Sequence, residues 1–214
     1  MKVVVVGGHS RNIGKTSVAT SIIAATRELA WTALKITQYG HHICSTSGHE
    51  CGCVVEDADH PFAITRENDS SSGTDTARLL QAGAREVYWV RTRSGDLEQA
   101  MPALHELLSE REHVLFESNS ILRFVQPDIY LSVLQYDIED FKLSSRLYLE
   151  RADALVIPVS EQNSPRWPGI DAGVVQKKPL FAVRPPSFVS EELLSFVRSK
   201  LMLTGDSHSV SQPR

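Results

Sequence analysis

No stretch of the 214 residues approaches the roughly 20 consecutive apolar positions that a membrane-spanning helix needs. The valine run at positions 3–6 is far too short for the core of a signal peptide. An excess of basic residues is missing as well: 22 Lys and Arg stand against 26 Asp and Glu, a formal charge of −4. That balance excludes a broad footprint for nucleic acid or for an anionic membrane surface. The expectation is a soluble, cytoplasmic protein with neither membrane nor nucleic acid as a partner. Cysteine is scarce, with three residues in the chain, and the Asn-Lys-x-Asp sequence that reads guanine does not occur.

What is present begins at the amino terminus. Val3-Val4-Val5-Val6 has the pattern of a buried strand, and the turn that follows ends in Gly14-Lys15-Thr16 before a helical stretch. A turn of backbone N–H groups at a helix N-terminus favours an anion, through its unpaired donors and the helix dipole. In such a loop Gly14 lets the backbone approach phosphate, Lys15 neutralises the β and γ phosphates, and the Thr16 hydroxyl is an oxygen ligand for Mg²⁺. The expected nucleotide-binding residues are Gly8, His9, Ser10, Arg11, Asn12, Ile13, Gly14, Lys15, Thr16 and Ser17, with Lys35 from the next strand. The spacing departs from G-x-x-x-x-G-K-[ST], because the first glycine would fall at position 9, which is His9, and Gly8 lies one residue early.

A chain of this length reads as one domain, here residues 1–203, followed by a polar tail at 204–214 with no apolar period, expected to be disordered. Apolar runs predict strands at 2–6, 33–37, 87–91, 113–116, 129–133, 154–159 and 180–183. Helical patterns fall at 15–29, 74–83, 97–110, 144–150 and 190–201. Such alternation argues an α/β fold with a mainly parallel sheet and helices on both faces. Residues 41–73 and 160–178 interrupt it and read as functional loops.

Ligands of open α/β sheets collect at the carboxyl ends of the strands, which directs attention to three further positions. Lys35 places a charge in the apolar strand Leu34-Lys35-Ile36-Thr37, so it either reaches a phosphate or Glu117 or snorkels out from an edge strand. Glu117 ends Val114-Leu115-Phe116-Glu117, the form of a Walker-B strand whose carboxylate holds Mg²⁺ or polarises a nucleophile, with Asn119 as a neutral hydrogen-bonding group beside it. Asp75, in Gly73-Thr74-Asp75-Thr76-Ala77-Arg78, is either a helix N-terminal acid or a carboxylate near Mg²⁺ or substrate, with Arg78 as an anion contact. Lys15, Glu117 and Asp75 are the candidate catalytic residues.

All three cysteines, Cys44, Cys51 and Cys53, fall within ten residues, together with His49 and close to His41 and His42. Three thiolates and one imidazole make a tetrahedral zinc set, and an iron–sulfur cluster, free thiols in a loop or a redox switch remain alternatives.

Taken together, the N-terminal loop, Leu34-Lys35-Ile36-Thr37 followed by His41-His42, the block from Gly73 to Arg78 continuing to Gln81-Ala82-Gly83-Ala84, and the strand ending in Glu117 resemble a known family. It is the nucleotide-binding accessory protein of molybdopterin-guanine-dinucleotide biosynthesis, within the SIMIBI class of P-loop NTPases. The resemblance covers about residues 1–135. It implies a three-layer P-loop NTPase fold, a guanine nucleotide and Mg²⁺ on Gly14, Lys15 and Thr16, Lys35 and Asp75 facing the cleft, and a homodimer that assists a nucleotidyltransferase. The cysteine cluster and the sequence Ser118-Asn119-Ser120 depart from the family's pattern. Three functions follow for comparison: Mg²⁺-dependent binding and slow hydrolysis of GTP or ATP, a small-molecule kinase using ATP, and a nucleotide-regulated metal-binding or redox module.

Overall fold

Val4, Val5 and Val6 are fully buried, and their continuous apolar run is what a strand covered on both faces requires. They belong to β1 (Lys2–Gly8), which lies between two parallel neighbours at the centre of the sheet. The computed structural model describes residues 1–39, 61–160, 164–165 and 167–202. Among them the remaining strands are β2 (Thr32–Tyr39), β3 (Phe62–Arg66), β4 (Glu86–Arg93), β5 (His113–Glu117), β6 (Ile129–Val133), β7 (Ala154–Pro158) and β8 (Leu180–Val183). The helices are α1 (Lys15–Ala25), α2 (Asp75–Gln81), α3 (Leu97–Leu108), α4 (Leu143–Tyr148), α5 (Ala172–Gln176) and α6 (Glu191–Met202).

The strands form one sheet in the order β3-β4-β2-β5-β1-β6-β7-β8. Every pairing is parallel except that of β3 with β4. Alternation along the strands divides the core in two. Val4, Val6, Ala33 and Leu115 pack with Val18, Ile22 and Ile23 of α1 and Leu193 and Val197 of α6. Val3, Val5, Leu34 and Phe116 pack with Leu97, Ala100 and Leu104 of α3 and with Phe141 and Trp167. The result is a three-layer α/β fold, a mainly parallel sheet with helices on both faces, with strand ends β1, β2, β5, β6 and β7 opening on one edge.

Three local outcomes differ from the sequence pattern. The first helix stops at Ala25 and a 3-10 turn (Arg27–Leu29) follows, because the Thr26 hydroxyl donates to the Ile22 carbonyl at 2.6 Å and accepts from the Trp31 indole at 2.9 Å. β3 falls inside the stretch expected to be a loop, where its five residues add antiparallel to β4 at the sheet edge. A single turn, α5, lies inside the other expected loop, started by the Asp171 carboxylate accepting from the Gly173 N–H at 2.8 Å. Both elements are too short to leave a period in the sequence. The tail at 204–214 lies outside the described residues.

Candidate functional site

β1 ends at Gly8 and α1 begins at Lys15, so six residues make the connecting loop. Gly14, the N-cap of α1, has φ 90°, a left-handed conformation that glycine adopts without a Cβ penalty. Among the described residues no side chain caps α1, which leaves its first N–H groups to an external acceptor. Lys15 Nζ bends back over the loop and donates to the Ser10 carbonyl at 2.5 Å. Its pKa is lowered to about 8, chiefly by burial, with Glu117 opposing the shift and Lys142 and Lys35 adding to it. A charged group held in so unfavourable a place is stabilised when an anion arrives.

Of the loop residues expected to bind nucleotide, His9 and Ser10 do not line the cleft, and their side chains are engaged elsewhere. His9 is fully buried and packs on Phe141 and Trp167, with ring centroids 5.0 and 5.7 Å away. Its Nε2 accepts from the Gln135 N–H at 3.0 Å and its Nδ1 lies 2.7 Å from the Asp140 carbonyl, so a neutral ring protonated at Nδ1 satisfies both. Ser10 donates to the Asp140 carboxylate at 2.7 Å. These side chains shape the loop from beneath, which is why a glycine is dispensable at position 9.

Burial is the largest influence on His9 and lowers its pKa from 6.5. Because the folded value lies below the unfolded one, the neutral ring contributes stability that is complete above about pH 6.5 and lost as pH falls below it. The expected outcome is a melting midpoint that declines more steeply below pH 6.5 in the wild type than in His9→Gln. Equal slopes in thermal melts across pH 5 to 7 would show that His9 is not the titrating group.

Opposite the loop, the strand register brings distant residues together. Lys35 of β2 and Val6 of β1 both pair with Glu117 of β5, so Lys35 and Glu117 project on the same face of the sheet as α1. The Thr16 hydroxyl lies 2.9 and 2.8 Å from the two Glu117 carboxylate oxygens and donates to them. Lys35 Nζ donates to Glu117 Oε1 at 3.2 Å, to Thr16 Oγ1 at 3.5 Å and, more closely, to Asp75 Oδ2. Burial opposes the Lys35 charge, but Glu117 and Asp75 outweigh it and raise its pKa. Burial likewise works against charge on Asp75, and Lys35 with Arg78 holds its pKa below the usual carboxylate value. Of the readings open for Lys35, the carboxylate partner is the one observed. Asp75 is both the first residue of α2 and a member of the cleft. Arg78 joins Asp75 Oδ1 at 3.3 Å and donates to Ser17 Oγ at 2.9 Å, fastening α2 to α1.

These groups line an open cleft of about 960 Å³. Gly8, Arg11, Asn12, Ile13, Gly14, Lys15, Thr16, Ser17, Lys35, Asp75 and Glu117 all border it. Sequence reasoning missed Gln135, Lys142 and Phe188, which also line it. Lys142 follows β6, and inspection of the whole connection after that strand would have raised it. Its pKa is lowered by burial and then by Arg11. Asn119 ties the base of the loop, accepting from the Gly8 N–H at 2.9 Å and donating to the Gly8 carbonyl at 2.8 Å. Cys44, Cys51, Cys53 and His49, with the zinc or iron–sulfur site expected of them, lie outside the described residues. Among the described residues no group of three or more His, Cys, Asp or Glu could hold a metal ion, and no helix is long and apolar enough to cross a membrane.

Neither a known family's model nor a curated protein matches the chain. Among solved structures, HypB from Helicobacter pylori in complex with nickel resembles it with a TM-score of 0.49 and 15% identity, over 99% of this chain and 92% of that one. The apo-form LpxK from Aquifex aeolicus in complex with ATP resembles it with a TM-score of 0.44 and 18% identity. That likeness covers 85% of this chain and 53% of the LpxK chain, so the chain spans about half of LpxK's length.

Proposed function

We propose that this protein binds a nucleoside triphosphate, GTP or ATP, together with Mg²⁺ and hydrolyses it slowly. The observation that carries the reading is the convergence of a helix N-terminus that no described side chain caps, a half-buried Lys15 and the Thr16–Glu117 pair on one cleft at the carboxyl edge of the sheet. The Thr16 hydroxyl and Glu117 carboxylate are hard oxygen donors of the kind Mg²⁺ takes. When bound, Mg²⁺ would supply Lewis-acid stabilisation of charge on the phosphate oxygens. Lys15 and the loop N–H groups hold the β and γ phosphates and offset the charge that develops during transfer. Asp75, whose side chain is 42% exposed, would orient an attacking water. A thermal-shift measurement with ATP or GTP plus Mg²⁺, followed by phosphate release without added acceptor, tests the reading. No shift with either nucleotide would overturn it.

For the base, the cleft offers an apolar wall. Phe188 stands beside Gly14, where a Cβ would meet its ring at 3.2 Å, and Pro158, Val159 and Pro185 line the cleft with it. Stacking on such a surface does not distinguish purines strongly. Phe188→Ala is expected to weaken ATP and GTP alike by about tenfold. An unchanged affinity for both in a titration would place the base elsewhere.

A kinase reading draws support from the cleft's extension past Lys35 along Thr37, Gln38 and Tyr39. It gives an acceptor room beyond the phosphates, with Asp75 as base. Phosphate release that depends on an added acceptor would favour it. From the resemblance of the sequence motifs comes the remainder of the proposal: a homodimer that assists a nucleotidyltransferase of molybdenum-cofactor assembly, with zinc on the cysteine loop. Native mass measurement of the protein purified without chelator tests both; a monomer without bound metal would overturn them.

A further inference from the structure

The groups suited to Mg²⁺ already surround a cation, and that cation belongs to the chain. We propose that Lys35 is a built-in counter-ion of the divalent-cation site: its ammonium holds the place among Thr16, Asp75 and Glu117 that the metal needs, so Mg²⁺ enters only with the phosphates of a nucleotide. The inference rests on the function proposed above and specifies how the same site is regulated.

Glu117 is almost completely buried, and a carboxylate there requires a compensating charge. Among the described residues Lys35 is the cation paired with it. Lys15 is turned away, donating to Ser10, and Arg78 takes the far oxygen of Asp75 and the Ser17 hydroxyl. Lys35 is therefore the described cation held directly between the two carboxylates, with Arg78 on the far oxygen of Asp75. Its pairing with Glu117 is set by the sheet, since the β2–β5 register places their backbones opposite each other. The lysine cannot leave the neighbourhood, but its four-carbon stem lets the ammonium move.

A divalent ion and an ammonium sharing the same carboxylates repel strongly in a half-buried site. Mg²⁺ alone would have to drive Lys35 from two carboxylates without giving it another anion. Mg²⁺ that arrives on a nucleotide brings phosphate oxygens, and the displaced ammonium then gains a new partner. The same exchange run backwards expels the metal once the phosphates have left. Metal and nucleotide would thus enter together, a coupling that would weaken if Lys35 were neutral.

The test is calorimetric titration of Mg²⁺ into the full chain without nucleotide, at pH 7. The wild type is expected to show no saturable binding in the low-millimolar range, whereas Lys35→Gln and Lys35→Met bind at least tenfold more tightly. Lys35→Arg keeps the positive charge and is expected to exclude Mg²⁺ as the wild type does. Adding Glu117→Gln to Lys35→Gln should remove the gained binding, which places it at this site rather than elsewhere. Wild type binding Mg²⁺ as tightly as the neutral variants, or an arginine variant that gains binding as they do, overturns the inference. A wild type that shifts with nucleotide while the neutral variants gain no Mg²⁺ affinity rejects this inference and leaves the nucleotide reading standing. Absence of any nucleotide shift rejects that reading itself.

Discussion

Lys15→Ala is expected to abolish stabilisation by nucleotide and to lower phosphate release by about 10³-fold, because the charge that develops on the transferred group loses its nearest cation. The variant should melt no lower than the wild type when both are free of nucleotide. Lys15 is a half-buried cation with a pKa lowered to about 8, and loss of water around it is the main cause. Its removal therefore relieves a cost in the empty protein while withdrawing the group that greets the phosphates. The same numbers give a pH profile. Phosphate favours the charged lysine and raises its pKa in the complex, so binding takes up a proton above the free-site value. Affinity is expected to be flat below about pH 8 and to fall by as much as about tenfold per pH unit above it. Lys15→Arg, which stays charged, should show a flat profile across that range. Thermal shifts and binding titrations between pH 7 and 9.5 read both effects, and a wild type as flat as the arginine variant would exclude Lys15 as the phosphate cation.

Gly7→Ala is expected to lower stability by about 3 to 5 kcal/mol, the sum of an overpacked contact and of polar groups left without partners. A Cβ at position 7 would lie 2.0 Å from Asn119 Oδ1 and 2.9 Å from Tyr130 Cε2. Asn119 cannot retreat without giving up its two hydrogen bonds to the Gly8 backbone. Tyr130 is 1% exposed and has little room to yield. For a domain of this size the melting midpoint should fall by about 10 °C. A denaturant titration showing a loss under about 1 kcal/mol would mean that Asn119 is not the clamp that sets the end of β1. Nucleotide affinity should fall with stability in this variant, because the strand end that Asn119 fixes is where the loop starts.

Most of the site's membership was legible in the sequence, but not its wiring. Arg11 to Ser17 could be named because a strand, a glycine turn and a helix in succession leave a local pattern. Glu117 could be named because a carboxylate closes an apolar run. Asp75 and Lys35 stood out as charges in places where charge is costly or purposeful, yet each kept two readings. Those ambiguities concern partners, and the deciding partners of Lys35 lie 40 and 82 residues away along the chain. β3 escaped notice for a different reason: five residues at a sheet edge, half exposed, carry no sustained alternation, and their identity as a strand comes from β4 beside them.

His9 shows the boundary most clearly. The sequence could say only that a glycine was missing from the usual spacing. Burial against Phe141 and Trp167, with both ring nitrogens engaged by the connection after β6, converts that irregularity into a support for the loop. The sequence by itself determined the α/β alternation and the glycine-bearing loop between β1 and α1, since apolar period, turn residues and helix starts act over a few positions. Only the tertiary structure decided that Thr16, Lys35, Asp75 and Glu117 form one charge network. The register between β2 and β5 belongs to a pair of strands rather than to either one, and it is that register which sets the Lys35 ammonium on the Glu117 carboxylate.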